Sequence, residues 1–154
     1  MAGKSPKLKT LNASKLKVAV VSASWHPEIC SSLIDGAKRA LAVNKVNKVS
    51  YHEVSGSFEL PLAAQKLFDS GIDAVVVLGL ILKGDTPHFD YVCKLVTDGV
   101  LQLNLSLDVP VIFGVLTVLN EQQLNERIGG KHGHKGKEAA IAAMKMIALN
   151  RKLR

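Results

Sequence analysis

Several functional classes are excluded by what this chain has little of. It carries two cysteines, Cys30 and Cys93, too few for a disulfide framework and both inside predicted helices, which points to reduced thiols. No apolar run approaches the roughly 20 residues needed to cross a bilayer, and the first residues lack a signal-peptide core. A cytoplasmic protein with no membrane partner is therefore expected. Aromatic residues make up 5% of the chain, with one tryptophan, so they rarely interleave with the basic side chains. No nucleic-acid-binding motif occurs, and no nucleic acid is expected as a partner. Gly-x-x-x-x-Gly-Lys-Thr, Gly-x-Gly-x-x-Gly and the Ser-centred nucleophile elbow are all missing, which removes the best support for NTPase, dinucleotide and esterase readings.

What is present is basic charge. The formal net charge is +7, concentrated at Lys4, Lys7, Lys9, Lys15 and Lys17, around a Gly/His-rich loop (Arg127, Lys131, Lys135, Lys137), and at Lys145, Arg151, Lys152 and Arg154. Solvated faces plus a small phosphorylated substrate account for this pattern. At 154 residues the chain can bury roughly 70% of its unfolded surface without a metal or disulfide staple.

Residues 1–14 are polar and Lys-rich without periodicity and read as a flexible basic arm; 15–154 read as one domain. Strand and helix patterns then alternate four times. Leu16 to Ala23 predicts a strand, followed by a helix with Ile29, Leu33, Ala37, Ala40 and Leu41 on one face. Val49 to Val54 predicts the second strand, and its helix opens at Ser57 with Pro61 tolerated in the first turn. Ala74 to Leu82 is almost unbroken Val, Leu and Ile, as a parallel strand buried on both faces should be. Its helix carries Val92, Leu95, Val96, Val100 and Leu103. Pro110 to Thr117 predicts the fourth strand. Asn120 then caps a short helix with Gln123 as capping-box partner, and a turn over 129–136 leads to a last helix with Ala140, Ala143, Met144, Ile147 and Ala148 on one face. This alternation predicts an α/β fold: a four-stranded parallel sheet flanked by helices on both faces. Ligands of such sheets bind at the carboxyl ends of the strands, where Ser22 to His26, Ser55 to Glu59, Leu80 to His88 and Phe113 to Thr117 are expected.

The most telling segment is Gly84-Asp85-Thr86-Pro87-His88. Thr86 suits an N-cap and Pro87 the first helical position, so the free N–H groups of the turn, with the helix dipole, make an anion site. His88 stands on the same turn, where an imidazole can move a proton, or can be an ordinary surface residue. Trp25 has two roles open to it, stacking on a planar heterocycle or anchoring an interface. Ser57 and Glu59 either contact a hydroxylated ligand or simply cap a helix. Arg127 can clamp a phosphate bidentately or complement a helix end. His132-Gly133-His134 has no acidic or cysteine partner nearby in sequence, so no metal is assigned.

Four ordered motifs carry a further resemblance: Gly56-Ser57-Phe58-Glu59-Leu60-Pro61, Leu82 through Tyr91, Pro110 through Thr117, and Glu121-Gln122-Gln123 through Arg127. Together, with their spacing across nearly all of 16–150, they resemble the 6,7-dimethyl-8-ribityllumazine synthase family. The resemblance implies a flavodoxin-like three-layer sandwich and a transferase of riboflavin biosynthesis without cofactor or metal. Its substrates would be 5-amino-6-(D-ribitylamino)uracil and 3,4-dihydroxy-2-butanone 4-phosphate. It gives Trp25, Ser57, Phe58, Glu59, Leu80, Ile81 and Leu82 to the ribitylaminouracil, together with Phe113 from a neighbouring subunit. Asp85, Thr86 and Arg127 would hold the butanone phosphate, and His88 would transfer protons.

It also implies a pentamer. The short stretch from Ile128 to Lys135 fits a shell of sixty subunits, and riboflavin synthase is an implied partner. Lys83 stands where many members carry Arg and Trp25 where many carry Phe, while His132 and His134 lie outside the pattern. A flavin-storage protein would keep Trp25 and a shell-forming protein would keep the interfaces. Neither requires His88 and Arg127 together, so the enzyme is favoured.

Overall fold

The structure, a computed structural model, describes residues 13–154; the basic arm predicted over 1–14 lies outside them except for Ala13 and Ser14. Ala13 is fully buried against the core.

Among the described residues six strands and five α-helices follow one another: β1 (Lys17–Ala23), α1 (Pro27–Val43), β2 (Lys48–Val54), a 3-10 turn (Ser57–Glu59), α2 (Leu60–Phe68), β3 (Ala74–Leu82), α3 (His88–Ser106), β4 (Val111–Val118), α4 (Glu121–Asn125), β5 (Ile128–Gly130), β6 (Gly133–His134) and α5 (Lys135–Leu153). The first four strands form one parallel sheet in the order β2-β1-β3-β4. The central pair are the most apolar segments, and β3 is buried at every position but Leu82. The edge strand β2 leaves Tyr51, His52 and Glu53 exposed.

Alternation along the strands divides the core in two. Val18, Val20, Val76, Leu78 and Leu116 face α1 and α5, meeting Leu33, Ala37, Leu41, Ala140, Ala143 and Met144. Ala19, Val21, Val75, Val77 and Val115 face α2 and α3, meeting Leu60, Ala64, Val96 and Val100. The result is the three-layer sandwich expected from the sequence. A fully buried leucine such as Leu33 contributes about 2–5 kcal/mol against alanine.

Two local expectations need correction. Gly136 lies within the first turn of α5, not in a loop, and it is the close approach of α5 to α1 that calls for glycine, since a side chain there would collide with the Leu33 carbonyl. The short helix α4 is capped by Asn120, whose Oδ1 accepts the Gln123 N–H at 2.9 Å, but the Gln123 amide reaches back to the Leu119 N–H at 2.9 Å, one residue earlier than a standard capping box.

The chain runs from β1 to β2 through α1, then returns past β1 to β3 through α2 on the other face. The order therefore reverses between β1 and β3, and the crevice beyond their carboxyl ends is where such sheets place a ligand.

Candidate active site

Three loops meet at that crevice. After β1, the Ser24 N–H and Oγ reach the Val54 carbonyl at 2.9 and 3.2 Å, and the Trp25 N–H bonds the Ser55 carbonyl at 3.2 Å. His26 takes a left-handed conformation to start α1, and the Cys30 thiol donates to the Trp25 carbonyl at 3.2 Å. The backbone of Trp25 is thus tied down while its ring stands 69% exposed beside Gly56.

After β2 comes the 3-10 turn. The Glu59 carboxylate accepts the Gly56 N–H at 2.8 Å, which engages one oxygen and leaves the side chain exposed at the rim. Ser57 is buried, and its Oγ donates to the Leu80 carbonyl at 3.5 Å. Gly79 makes room for that hydroxyl: a Cβ there would come within 2.6 Å of it. Ser57 can therefore offer a ligand its backbone more readily than its side chain. Phe58 is about half-exposed.

After β3, the side chains of Leu80 and Ile81 are buried and that of Leu82 is half-buried, so it is their main chain that borders the rim. The Lys83 N–H bonds the Val118 carbonyl at 2.9 Å and joins the ends of β3 and β4. Gly84, Asp85, Thr86, Pro87 and His88 are all exposed. The helix starts one residue later than expected. Pro87, with φ −65° and ψ −6°, occupies the cap position, and Thr86 Oγ1 lies 3.4 Å from the His88 N–H. Pro87 has no N–H to leave orphaned, so the N–H groups this turn can offer a ligand are those at Gly84 to Thr86 and the start of α3.

Arg127 follows α4 and is partly buried. Its Nη1 donates to the Gln123 carbonyl at 2.7 Å and lies 3.8 Å from Glu126 Oε2, and His132 Nε2 is 3.5 Å from the same oxygen. The guanidinium is restrained by the protein's own groups.

Phe113 is not brought to this cluster. It is the third residue of β4, paired with Val77 in mid-sheet, and shares the α3 side with Val111 and Val115. Five residues at about 3.3 Å each put it roughly 16 Å short of the end of its own strand. The expectation that the Phe113 to Thr117 segment arrives at the carboxyl ends holds only for its last residues. Phe113 sits instead on an outer edge of the sheet, 38% exposed.

A cavity of about 130 Å³ lies between α1 and β2, lined by Val20, Ser22, Ile34, Asp35, Lys38, Tyr51 and His52. It is smaller than the roughly 300 Å³ of a modest small-molecule site and contains none of the predicted site residues. Among the described residues, no three His, Cys, Asp or Glu side chains stand close enough to hold a metal ion, and no helix is long and apolar enough to cross a membrane.

Comparison with known proteins decides the family. A family model for 6,7-dimethyl-8-ribityllumazine synthase matches residues 15–151. The chain belongs to the lumazine synthase family. It is 45% identical over 151 residues to the 6,7-dimethyl-8-ribityllumazine synthase of Streptomyces avermitilis, covering 96% of this chain and 94% of that one. It is 50% identical over 137 residues to the protein of that name from Kocuria rhizophila, covering 88% and 87%. The relative of the same name in Bdellovibrio bacteriovorus is 47% identical over 139 residues, covering 90% and 78%.

Sequence reasoning overlooked two features near the candidate site. The Cys30 thiol that anchors Trp25 reads in sequence only as a small apolar residue. Burial first, and Glu53 less strongly, push it up, opposed by a hydrogen bond from Ser22. His134, read only as half of a weak metal pair, caps α5: its Nδ1 accepts the Lys137 N–H at 3.4 Å. Its spacing to Lys137 was the available signal, because an acceptor three residues before a helical N–H is the geometry of a cap.

Proposed function

We infer that the protein is a 6,7-dimethyl-8-ribityllumazine synthase, a transferase that condenses 5-amino-6-(D-ribitylamino)uracil with 3,4-dihydroxy-2-butanone 4-phosphate, releasing phosphate and water, in the penultimate step of riboflavin biosynthesis. The observation that carries this is family membership across 15–151 together with an exposed Asp-Thr-Pro-His turn at the β1/β3 crevice.

In this reading Trp25 stacks on the pyrimidine, while Ser57, Phe58, Glu59 and the main chain of Leu80, Ile81 and Leu82 line the ribityl chain and ring. Asp85, Thr86 and Arg127 hold the butanone phosphate. The substrate amine attacks the ketone to form an imine with loss of water. A proton leaves the hydroxyl-bearing carbon as phosphate departs from its neighbour, the enol so formed takes up a proton to become a new ketone, and the second nitrogen closes the ring on that carbonyl with further loss of water. His88 moves the protons. The amine is already nucleophilic, so the chemistry asks for no covalent enzyme group, and holding both reactants together supplies up to roughly 7–11 kcal/mol.

Phe113 belongs to the site of an adjoining subunit, so the working unit is at least a pentamer, with the sixty-subunit shell as the assembly favoured by the short stretch from Ile128 to Lys135. Exposed Leu62 on α2 and Leu101 and Leu105 on one face of α3 supply apolar surface for such contacts. The protein works in the cytoplasm, and riboflavin synthase, which takes the product onward, is the expected protein partner.

The test is direct: purified protein given both substrates should develop lumazine fluorescence, unaffected by EDTA. No product, or activity lost to EDTA and restored by zinc, would refute this mechanism. Light scattering tests assembly, and a monomeric mass with full activity would contradict the shared site.

A further inference from the structure

Arg127 lies outside any helix. Its carbonyl accepts the Lys135 N–H at 2.9 Å, and between these two residues the chain doubles back as the β5–β6 hairpin, with Ile128 opposite His134. The direction in which Arg127 leaves the main chain is therefore inherited from the hairpin, and several attachments of the hairpin converge on His134. Its Nδ1 accepts the Lys137 N–H at the start of α5, at 3.4 Å. Its Nε2 lies 3.5 Å from Ser32 Oγ on α1. The ring fills the space above Gly36, where any Cβ would collide with it, and it reaches Gly129 on the facing strand.

We propose that His134, as a neutral imidazole, is the positioning residue for Arg127: its ring locks the hairpin to α1 and caps α5, so the guanidinium is held ready for the phosphate substrate. The proposal rests on the reading of Arg127 as a phosphate ligand. With Nδ1 accepting, the hydrogen is on Nε2 and is donated toward Ser32. Protonation would set an Nδ1–H against the Lys137 N–H, donor to donor, and place a cation at a helix N-terminus. The charged groups facing the ring are Arg39 from α1 and Glu138 from α5, with Glu138 paired to Lys135 at 2.7 Å. Lys131, His132 and Lys137 are its neighbours along the chain. Burial first, then Arg39, hold the His134 pKa below its ordinary 6.5, opposed by backbone hydrogen bonding and by Glu138. The neutral form therefore prevails at pH 7. The stability the ring provides is complete above 6.5 and is lost as pH falls through the lowered value.

The experiment measures KM for the butanone phosphate and kcat from about pH 8 down to the lowest pH at which the parent stays folded for the parent, His134→Asn, His134→Ala and Gly36→Ala. Asparagine keeps a cap acceptor but does not titrate. The parent KM should rise relative to that of His134→Asn as pH falls through the lowered His134 value, while substrate ionisation, common to both, cancels in the ratio. His134→Ala should raise KM at every pH by about fivefold, the factor matching a typical cap, with kcat nearly unchanged. Gly36→Ala should displace the ring and do the same, yet add nothing in the His134→Ala background. Superimposed parent and His134→Asn profiles, or Gly36→Ala and His134→Ala proteins with the parental KM, would overturn the proposal while leaving the function intact. A parent with no turnover would overturn the functional reading and this proposal with it.

Discussion

The loop after β3 and the hairpin after α4 both supply groups to the proposed phosphate site, but they are built differently. Gly84 to His88 are exposed, and apart from the Thr86 contact to the His88 N–H their side chains are held by little. Arg127 is held by the Gln123 carbonyl and Glu126, its neighbour His132 leans on the same carboxylate, and His134 is wedged into α1. One region presents backbone donors on a short turn whose shape Pro87 and the helix start impose. The other presents a long, entropically expensive side chain that needs restraint before the ligand arrives. A guanidinium already in place gives up less freedom on binding, so the hairpin side should carry more of the binding energy per residue.

The largest effect should come from attacking that side. Arg127→Ala removes charge-assisted hydrogen bonds worth roughly 1.5–3 kcal/mol each, and loss of a bidentate pair should lower kcat/KM by about 100- to 10,000-fold. Arg127→Lys should recover only part of this, because the ammonium keeps the charge without the fork. If initial-rate kinetics on Arg127→Ala gave parental values, Lys131 or Lys135 would have to be the phosphate ligand and the comparison would collapse.

On the opposite side, His88→Ala should slow turnover by about 100-fold, at the low end for a general acid–base, because proximity of the reactants survives. An unchanged kcat at saturating substrate would leave that loop with binding alone. Trp25→Ala should act on KM for the ribitylaminouracil by about tenfold, the order of one lost stacking contact, and Trp25→Phe should restore most of it. Equal KM in parent and alanine variant would make Trp25 an interface anchor.

The smallest effect concerns the thiols. Burial raises both Cys30 and Cys93, with Asp90 adding to the latter, so iodoacetamide should label either slowly at pH 7 and faster only as pH passes the ordinary value of 9.0. Rapid labelling of Cys30 in native protein at pH 7 would show that the crevice beneath Trp25 opens.

The two regions also differ in how legible they were. β3 was read to both ends because nothing polar interrupts Ala74 to Leu82 and both its faces are buried. The helix faces on α1, α3 and α5 were equally readable, since a stripe of apolar residues at helical spacing has one stable use. The turn after β3 was found but placed one residue early, because Thr86 and Pro87 are good residues at more than one cap position. The hairpin was not foreseen: seven residues rich in Gly, Lys and His have no periodicity, and their order comes from contacts with α1 that lie a hundred residues away in sequence. The placement of the Ser57 hydroxyl was illegible for the same reason, since only the fold reveals that Gly79 leaves a slot for it. The roles of individual site residues came from family resemblance; the chemistry of the residues alone left most of them with two readings.

The position of Phe113, far along β4 from its own chain's carboxyl-end cluster, has a consequence for how defects spread. In the proposed assembly each copy completes the centre of the next, so a lesion at Phe113 is inherited with one subunit and suffered by another, whereas a lesion at His88 stays at home. Two populations, each silent alone, can then regain turnover by mixing, and a protein diluted below its subunit dissociation constant loses activity with every fold intact.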